Sequence, residues 1–361
     1  MTTLPRNPEP LRIECVSVRQ WCRHLRSSDL NRPWDLLFPP EHLYADRSSF
    51  EIGTQRVHAC VVQGTTVIAV YVIAMRDRTS CLMDVRCVPE ADSRWPEAML
   101  EHWEGVATGL AADAMVGPVG AFAFLTDGVA IDQGGEANSI HNASYPHTIV
   151  DSLVRRGYVH AWSGAVWGRH GSIDPPHRER NPPISGVRRG TWMSIGSSVR
   201  ELERVLSASF ASLPWHRGSG AGTLALARAY VPVYSPSLAL FGESSEQTVG
   251  AVLMYRDVSS VPSRVYSWPR IIQRLWLWAA SRRSNEVHVN IIGIIPEHRG
   301  TNVAMALFAA AQSVLRSSSG VVTSLVRTEN RSSQMMCTRA GLSPLEHRVV
   351  FQKVLSTISN Y

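Results

Sequence analysis

The sequence predicts an α/β protein made of two similar units in tandem, each a mixed sheet with flanking helices. Three signals recur in the same order in both halves: a strand pair around a turn, a strand leading through a Pro-Glu pair into a helix, and a helix closed by glycine. The chain of 361 residues is long enough for two domains of ordinary size. We therefore expect two α/β units rather than a short-period solenoid.

The first signal is a strand pair that both halves share. Residues 57–77 form two apolar runs around a turn at Gln63 and Gly64, and residues 237–257 repeat this pattern in the second half. Both segments end in an Arg-Asp pair. Apolar, β-branched runs bounded by turn residues are typical of strands, so each half is predicted to contain a hairpin here.

The second signal is a strand that leads through a turn into a helix. Residues 81–88 and residues 287–295 are apolar runs, and each is followed directly by a Pro-Glu pair, at Pro89 and at Pro296. A segment with helical periodicity follows each pair. The order strand, turn, helix is typical of α/β units in which a helix covers the sheet.

The third signal is a helix with a glycine just past its end. Residues 145–159 contain Gly157 and residues 332–344 contain Gly341, and arginines precede both glycines. Glycine after the last helical residue, with basic residues in the last turn, is the expected end of a helix. The agreement of several ordered features indicates an internal repeat.

The stretch between the halves is rich in proline, glycine and alternating charges, which favours a linker over a core segment. We therefore predict an N-terminal unit over 1–167, a linker over 168–190 and a C-terminal unit over 191–361.

The charge composition admits two interpretations. The formal net charge is +6, and Lys353 is the only lysine, so the positive charge is almost entirely arginine. Guanidinium groups bind phosphates well, which suits RNA or coenzyme A as a partner. A coding bias that replaces lysine by arginine explains the same composition without any partner.

Cysteines and hydropathy exclude several classes. The six cysteines form no C-x-x-C pair, and no histidine spacing suggests zinc, so we expect no metal and reduced cysteines in a cytoplasmic protein. No apolar run reaches the roughly 18 residues of a membrane span. The first residues lack the apolar core of a signal peptide. We expect neither DNA nor a membrane as a partner.

The turn PEHRGTNVAMALF, which begins at Pro296, is the strongest candidate for a binding site. It lies between a predicted strand and a predicted helix, where unpaired N–H groups bind phosphates. Gly300 allows a close backbone approach, and Asn302 stands where a phosphate loop would be expected to carry glycine. Asparagine tolerates a left-handed φ better than other non-glycine residues, so we expect Asn302 to keep the shape of the loop.

These residues resemble the GNAT superfamily of N-acyltransferases. Its signature, Arg/Gln-x-x-Gly-x-Gly/Ala, falls on Arg299 to Ala304, with Asn302 in place of the middle glycine. The resemblance covers roughly 190–355 well and 50–165 weakly, because the first half has no such signature. The whole is similar to a tandem-GNAT protein with a degenerate first lobe, which implies one active site per chain.

A second GNAT feature lies near the C-terminus. The family often carries an asparagine, then a small residue, a tyrosine and a Gly-Phe pair, and here these positions are Asn330, Ser333, Cys337 and Gly341 followed by leucine. The resemblance implies that an acyl-CoA donor binds along the strand end, the turn and this helix. The donor-binding residues it implies are Ile294, Ile295, Arg299, Gly300, Thr301, Asn302, Val303, Ala304, Asn330 and Ser333.

Candidate catalytic residues lie on the strand before the turn and on the last helix. Strand alternation predicts that His288 and Asn290 face away from Val287, Val289 and Ile291. An exposed His288, or Glu286, is then a candidate base for the attacking amine.

The proton for the leaving group has a different candidate source. Cys337 stands where the family often has the tyrosine that protonates the leaving group, so it is a candidate acid or nucleophile. A small apolar residue on a helix is the alternative interpretation of Cys337. Tyr145 and Tyr158 are alternatives from the first half.

Three functions are compatible with the sequence. The first is transfer of an acyl group from acetyl-CoA or another acyl-CoA to a small-molecule amine. The second is an aminoacyl transferase that takes its donor from aminoacyl-tRNA, as the doubled Fem-type transferases do. The third is an inactive tandem GNAT that binds a metabolite or protein. Acceptor specificity is expected in 200–235 and 256–270, and a monomer is preferred.

Overall fold

The structure is a computed structural model, which describes residues 9–27, 30, 32–36, 55–120, 128–131, 148–171, 185–191, 195–209, 230–245, 247–258 and 261–355. The strands are β1 Leu11–Val16, β2 Gln55–Gln63, β3 Thr66–Arg76, β4 Thr79–Cys87, β5 Ala114–Val119, β6 Val129–Ala130, β7 Val159–His170, β8 Val187–Arg189, β9 Ala239–Ser244, β10 Gln247–Arg256, β11 Glu286–Ile294, β12 Gly320–Thr323, β13 Val326–Arg327 and β14 Ser343–Val354. The α-helices are α1 Val18–Ser27, α2 Trp95–Gly109, α3 Thr148–Arg155, α4 Ile195–Ser209, α5 Arg270–Arg283, α6 Asn302–Ser317 and α7 Arg331–Arg339.

Both predicted hairpins and both strand–helix units are present. Strands β2 and β3 pair antiparallel in the first half, and β9 and β10 do so in the second. Strands β4 and β11 then run parallel to β5 and β12, with helices α2 and α6 in the crossovers. Helices α3 and α7 are followed by Gly157 and Gly341, which have φ of 80° and 71°. The predicted α/β repeat is therefore confirmed.

The two halves share one continuous sheet. Its order is β1-β2-β3-β4-β5-β14-β7-β12-β11-β10-β9-β8, with β6 beside β14 and β13 beside β7. The last strand of the chain, β14, pairs with β5 of the first half, and β7 of the first half pairs with β12 of the second. Each half therefore completes its sheet with a strand from the other half.

This exchange changes the predicted domain boundaries. Residues 168–170, expected at the start of the linker, are the end of β7, and residues 187–189 form β8. Residues 172–184 of the expected linker lie outside the described part of the chain. A cut at residue 167 would divide β7, because strand pairing continues through Gly168 to His170.

The described part of the chain has four buried clusters: one in the first half, two in the second, of which the smaller lies under α4, and one that joins the halves. In the first half, one face of the sheet packs against α2 and α3, and in the second half it packs against α6 and α7. A third cluster contains residues of both halves, including Trp21, Val72, Trp162, Tyr255 and Leu277. Removing apolar area from water stabilises a fold by roughly 25 cal/mol per Å². The shared layer therefore holds the two halves together.

Gly242 lets helix α6 lie close to the sheet. A Cβ at Gly242 on β9 would lie 2.9 Å from Val303 Cγ1 on α6. The absence of that carbon lets the first turn of α6 rest against the sheet. This contact fixes where the N-terminus of α6 points.

None of the helices in the described ranges is long and apolar enough to cross a membrane.

Candidate functional site

A cleft opens where two parallel strands of the second half separate. Strands β11 and β12 pair from Glu286 with Gly320 to Val289 with Thr323, and the Ser324 N–H donates to the Val289 carbonyl. Beyond this point β11 continues and no longer pairs with β12. The gap is a cleft of ≈ 100 Å³. Its walls are Val289, Asn290, Ile291, Ile292, Thr323, Ser324, Leu325, Val326, Asn330, Ser333, Met336 and Cys337.

A bulge at Asn290 marks the place where the strands separate. Val289 pairs with Met254 and Ile291 pairs with Leu253, so Asn290 is an extra residue on β11. The predicted sharing of one face by Val287, Val289 and Ile291 is therefore wrong beyond the bulge. Ile292 joins Val289 in the core under α6 instead, because one extra residue reverses the alternation of the strand.

The backbone of β11 is open on the cleft side. Neighbouring residues of a strand direct their N–H and C=O groups to opposite edges. Because the Ile295 N–H donates to Val249 on β10, the backbone groups of Ile292 and Ile294 point to the opposite edge, away from β10. Of the two residues predicted to pair with a donor, Ile294 has this orientation, whereas Ile295 faces β10.

The predicted phosphate turn leads directly into α6. Gly300 has φ of +76°, and a Cβ there would meet no atom within 4 Å, so the turn is open to solvent on that side. Thr301 is the N-cap residue but makes no side-chain capping bond, and Asn302 is the exposed first residue of the helix. The N–H groups at this end are therefore not capped by Thr301. Val303 is half-buried and Ala304 is buried against the core.

The expectation for the conformation of Asn302 is wrong. Gly300 has the left-handed conformation in the turn, and Asn302 is not among the described non-glycine residues with positive φ. Asn302 therefore does not replace a conformational function of glycine. Its side chain stands at the end of the helix, where the helix dipole favours an anion.

Arg299 holds the turn against neighbouring elements. Its Nε donates to the Ile294 carbonyl at 3.3 Å, and its Nη2 donates to the Ser209 carbonyl at the end of α4 at 3.2 Å. These bonds join the strand end, the turn and α4. The geometry makes Arg299 a positioning residue of the turn.

The start of α7 forms the wall of the cleft opposite β11. Asn330 is the N-cap residue, and its Oδ1 accepts a hydrogen bond from the Ser333 N–H at 3.2 Å. This capping bond accounts for the spacing between the asparagine and the small residue. Ser333 is half-buried on the cleft wall. Both predicted residues therefore reach the cleft, and Asn330 also stabilises the helix.

Cys337 lines the cleft from within the core. It is fully buried in the apolar cluster under α6 and α7. Burial raises the pKa of its thiol to about 12. The thiolate is therefore strongly disfavoured, which argues against a nucleophilic function for this residue.

His288 is buried and not exposed, so this part of the prediction is wrong. Its ring stacks on Tyr255 with centroids 5.1 Å apart, and its Nε2 lies 3.1 Å from Ser324 Oγ. Burial lowers the pKa of His288 to about 3. The imidazole is therefore neutral at neutral pH, and it would be costly to protonate.

The low pKa of His288 predicts a pH-dependent stability. In the unfolded chain the ring binds a proton below about pH 6.5, whereas the folded chain does not until about pH 3. Stability is therefore lost as pH falls through this window. Between pH 7 and pH 5, we expect the wild type to lose about 2 kcal/mol more unfolding free energy than His288→Gln.

Urea unfolding of both proteins at the two pH values measures this difference. All other titrating groups are common to the two chains, so they cancel in the comparison. Equal losses in the two proteins would contradict the burial of a neutral His288.

A polar chain that the sequence did not predict links His288 to the cleft. Ser324 Oγ donates to Asn290 Oδ1 at 3.4 Å, and Asn290 Nδ2 donates to Tyr230 Oη at 3.1 Å. Tyr230 in turn stacks on Tyr255. Ser324 has no motif around it, so only the strand separation identifies it as a cleft residue.

The other predicted catalytic residues lie apart from the cleft. Glu286 begins β11, three residues before the first cleft residue, Val289, so it lies about 10 Å from the cleft for a strand that rises roughly 3.3 Å per residue. Tyr158 is buried in the first-half core, where it stacks on Trp103. Tyr145 lies outside the described residues. The described residues contain no group of three or more metal-ligating side chains.

The corresponding point of the first half carries a buried ion network. Strands β4 and β5 pair as far as Met83, and Asp84 follows it, as Asn290 follows Val289 in the second half. Arg86 is buried with its guanidinium bonded to Asp84 at 2.7 Å and to Asp35 at 2.6 Å. Charged groups therefore occupy the place beside the strand end in this half.

Solved structures with the same architecture identify the fold. A GCN5-related N-acetyltransferase from Sphaerobacter thermophilus superposes with a TM-score of 0.53 at 13% identity, over 98% of this chain and 97% of that one. A tandem GNAT protein from the clavulanic acid biosynthesis pathway superposes with a TM-score of 0.56 at 12% identity, over 96% and 98%. No protein-family model matches the chain, and no curated protein matches it.

The fold is therefore that of the GNAT superfamily. Within that class the chain has the tandem arrangement, with two GNAT-like lobes in one polypeptide and a likeness that extends over nearly its whole length. The predicted tandem-GNAT fold is confirmed.

Proposed function

We propose that the chain is an N-acyltransferase that moves an acyl group from acyl-CoA to the amine of a small molecule. The observation that supports this most strongly is the cleft between β11 and β12, which continues along the unpaired edge of β11 to the N-terminus of α6, where the Thr301 side chain makes no capping bond. Such a path suits a long donor with a phosphate at one end and a thioester at the other. The fold of the solved tandem GNAT protein agrees with this proposal.

The residues present fit a coenzyme A donor in three places. The N–H and C=O of Ile292 and the N–H of Ile294 offer strand-like hydrogen bonds to the amides of a pantetheine arm, while the Ile294 carbonyl already accepts from Arg299. The N–H groups of Asn302, Val303 and Ala304 lie at the end of α6, where a pyrophosphate is stabilised by the helix dipole. The third place is the half-buried Ser333, whose hydroxyl lies on the cleft wall.

The acyl transfer itself needs a polar group near the leaving sulfur. Bound acyl-CoA would supply the thioester carbonyl. The amine attacks this carbon, the C–N bond forms and the C–S bond breaks, and the proton that the amine loses ends on the coenzyme A thiolate. With its proton on Nε2, His288 donates to Ser324 Oγ, so that the hydroxyl hydrogen is available for Asn290 or for the sulfur. We assign Ser324 to hydrogen bonding of the leaving thiolate, and His288 to orienting that hydroxyl.

Only the second lobe is assigned an active site. The first lobe has Asp84 and Arg86 at the corresponding strand end, and its turn has no Arg-Gly element. The buried Asp84 and Arg86 side chains fill the place beside the strand end where a donor would pair with the backbone. One donor site per chain follows from this difference.

Replacing Asn302 by aspartate tests the donor site. Aspartate in the first turn of a helix suits the dipole, so the fold should remain stable. Its carboxylate faces the bound pyrophosphate, and we expect the Kd for acetyl-CoA to rise at least about tenfold, which is about 1.4 kcal/mol. Calorimetric titration measures the affinity, and Asn302→Gln is the neutral control.

The same titration separates the three candidate functions. Acetyl-CoA binding that Asn302→Asp weakens, together with acetylation of a panel of amines, supports the proposal. Binding without transfer to any amine supports an inactive binding protein. Absence of acetyl-CoA binding, with aminoacyl-tRNA binding that weakens strongly at higher salt, would overturn the proposal in favour of the tRNA-dependent transferase.

A comparison of two small substitutions tests the assignment of the leaving-group contact. We expect Ser324→Ala to lower kcat about tenfold or more with little change in donor affinity. We expect Cys337→Ala to leave kcat within about twofold, because burial raises the pKa of its thiol to about 12, so it neither forms the thiolate nor gives its proton readily to a leaving thiolate. Steady-state kinetics measure both. The reverse order of effects would return Cys337 to the mechanism and remove Ser324.

A further inference from the structure

A second cluster of reactive side chains lies in the first lobe, outside the acyl-transfer cleft. Cys15 is on β1, the edge strand of the sheet, and is exposed. Its Sγ lies 3.5 Å from Nε2 of His102 on α2. The other ring nitrogen, Nδ1, lies 2.7 Å from Oη of Tyr71 on β3. Three elements therefore bring a thiol, an imidazole and a phenol into one hydrogen-bonded chain.

The geometry is that of a nucleophile, a base and a group that orients the base. Tyr71 is fully buried, and its ring packs edge-on against His102 with centroids 5.9 Å apart. This contact and the hydrogen bond restrict rotation of the imidazole, so that Nε2 stays directed at the thiol. A base held by a third group beside a nucleophile is the arrangement that activates cysteine in enzymes.

The protonation state of His102 agrees with this function. Burial lowers the pKa of His102, so the ring is neutral at neutral pH and has a lone pair available. The Cys15 proton can therefore move to Nε2 when the sulfur attacks an electrophile.

No other cysteine of the chain combines these properties. Cys22, Cys60, Cys81 and Cys337 are buried, and Cys87 is only partly exposed. Burial raises the pKa of Cys60 to about 12 and raises that of Cys87 as well. Differences in reactivity within this one chain are therefore expected to be large, since the thiolate is the reactive form.

We propose that Cys15, His102 and Tyr71 form a reactive thiol site that is oxidised by small peroxides. The sulfur attacks one peroxide oxygen, the S–O bond forms and the O–O bond breaks. The thiol proton passes through His102 to the leaving oxygen, which gives cysteine sulfenic acid and water from hydrogen peroxide. Sulfur is oxidised by two electrons and the peroxide is reduced by two. A peroxide is small enough to reach an exposed edge strand without a shaped pocket.

The test treats the full chain with hydrogen peroxide, traps sulfenic acid with dimedone and measures the modified cysteines by mass spectrometry over time. We expect Cys15 to be modified about tenfold faster than Cys87. His102→Asn, which keeps a polar group near Tyr71 but none near the thiol, should slow Cys15 about tenfold. Tyr71→Phe should slow it to a smaller extent, and the Cys87 rate should stay unchanged in both variants.

Two results would overturn the proposal. One is oxidation of Cys15 in the wild type no faster than that of Cys87, a comparison that needs no variant to fold. The other is an unchanged Cys15 rate in His102→Asn, once circular dichroism shows that the variant is folded. The measurement does not involve an acyl donor, so its outcome is independent of the proposed acyl transfer.

Discussion

Replacing Arg86 by methionine is expected to lower the free energy of unfolding by about 3–5 kcal/mol, because two buried carboxylates lose their buried cation and are left with Arg32, whose Nη1 lies 3.4 Å from Asp84. The Arg86 guanidinium donates to Asp84 and Asp35 and also to the Leu30 carbonyl. Burial alone disfavours the charged guanidinium, but Asp35 and Asp84 outweigh this and hold the pKa of Arg86 above its ordinary value. Urea unfolding measures the loss.

The effect should reach the contact between the lobes. Arg270 of α5 donates to the Asp35 carbonyl at 3.3 Å, so the network connects the first lobe to a helix of the second. We expect the unfolding transition of Arg86→Met to remain cooperative but to move to lower urea, because both lobes share one sheet.

An exposed ion pair of the same lobe provides the control. Arg12 and Glu14 are 2.8 Å apart on the edge strand, and both side chains are largely accessible to solvent. Exposed pairs contribute roughly 0–1 kcal/mol, so Arg12→Met should change stability little. Equal losses for Arg86→Met and Arg12→Met would contradict a buried, stabilising network in the first lobe.

Filling the cleft is expected to have the largest effect on activity. Ser333→Phe places a ring in a cleft of ≈ 100 Å³ that is lined by α7 and β11. The ring would occupy the path of the donor, and displacement of a reacting group by 1 Å already costs about 100-fold in rate. We therefore expect kcat/KM for acyl transfer to fall by about 100-fold or more.

The control for this variant lies one residue away on the same helix. Ser332 is exposed and is not part of the cleft wall, so Ser332→Phe adds the same ring outside the donor path. Its kcat/KM should stay within about twofold of the wild type. Thermal unfolding of both variants checks that the helix is intact. If Ser333→Phe retained full activity, the donor would have to bind elsewhere.

Local patterns were sufficient to predict the repeated elements of both lobes. The hairpins around Gly64 and before Asp257, the Pro-Glu turns and the glycines after α3 and α7 all depend on residues close together in sequence. Periodicity and turn chemistry are local properties, so one sequence is enough to read them. The turn between β11 and α6 is predicted for the same reason, and its binding of a donor is part of the proposed function.

Local patterns could not predict which side chains line the cleft. Alternation along β11 placed Ile291 with Val289, but the bulge at Asn290 reverses it. A bulge depends on the partner strand, which the local pattern does not describe. His288 appeared exposed for the same reason: its burial comes from the ring of Tyr255 on the neighbouring strand. Ser324 is identified as a cleft residue only by the structure, because β12 stops pairing with β11 just before it.

Residue patterns along the chain predict two α/β units and, in the second, a strand that leads through a glycine turn into a helix. Three features follow only from the tertiary structure. Strands β14 and β7 each pair across the two halves. Arg86 occupies the strand end of the first lobe, and Cys15 lies beside His102. Secondary structure follows from neighbours along the chain, whereas these contacts join residues far apart in sequence. They depend on which strand edges and faces remain to be covered when the sheet assembles.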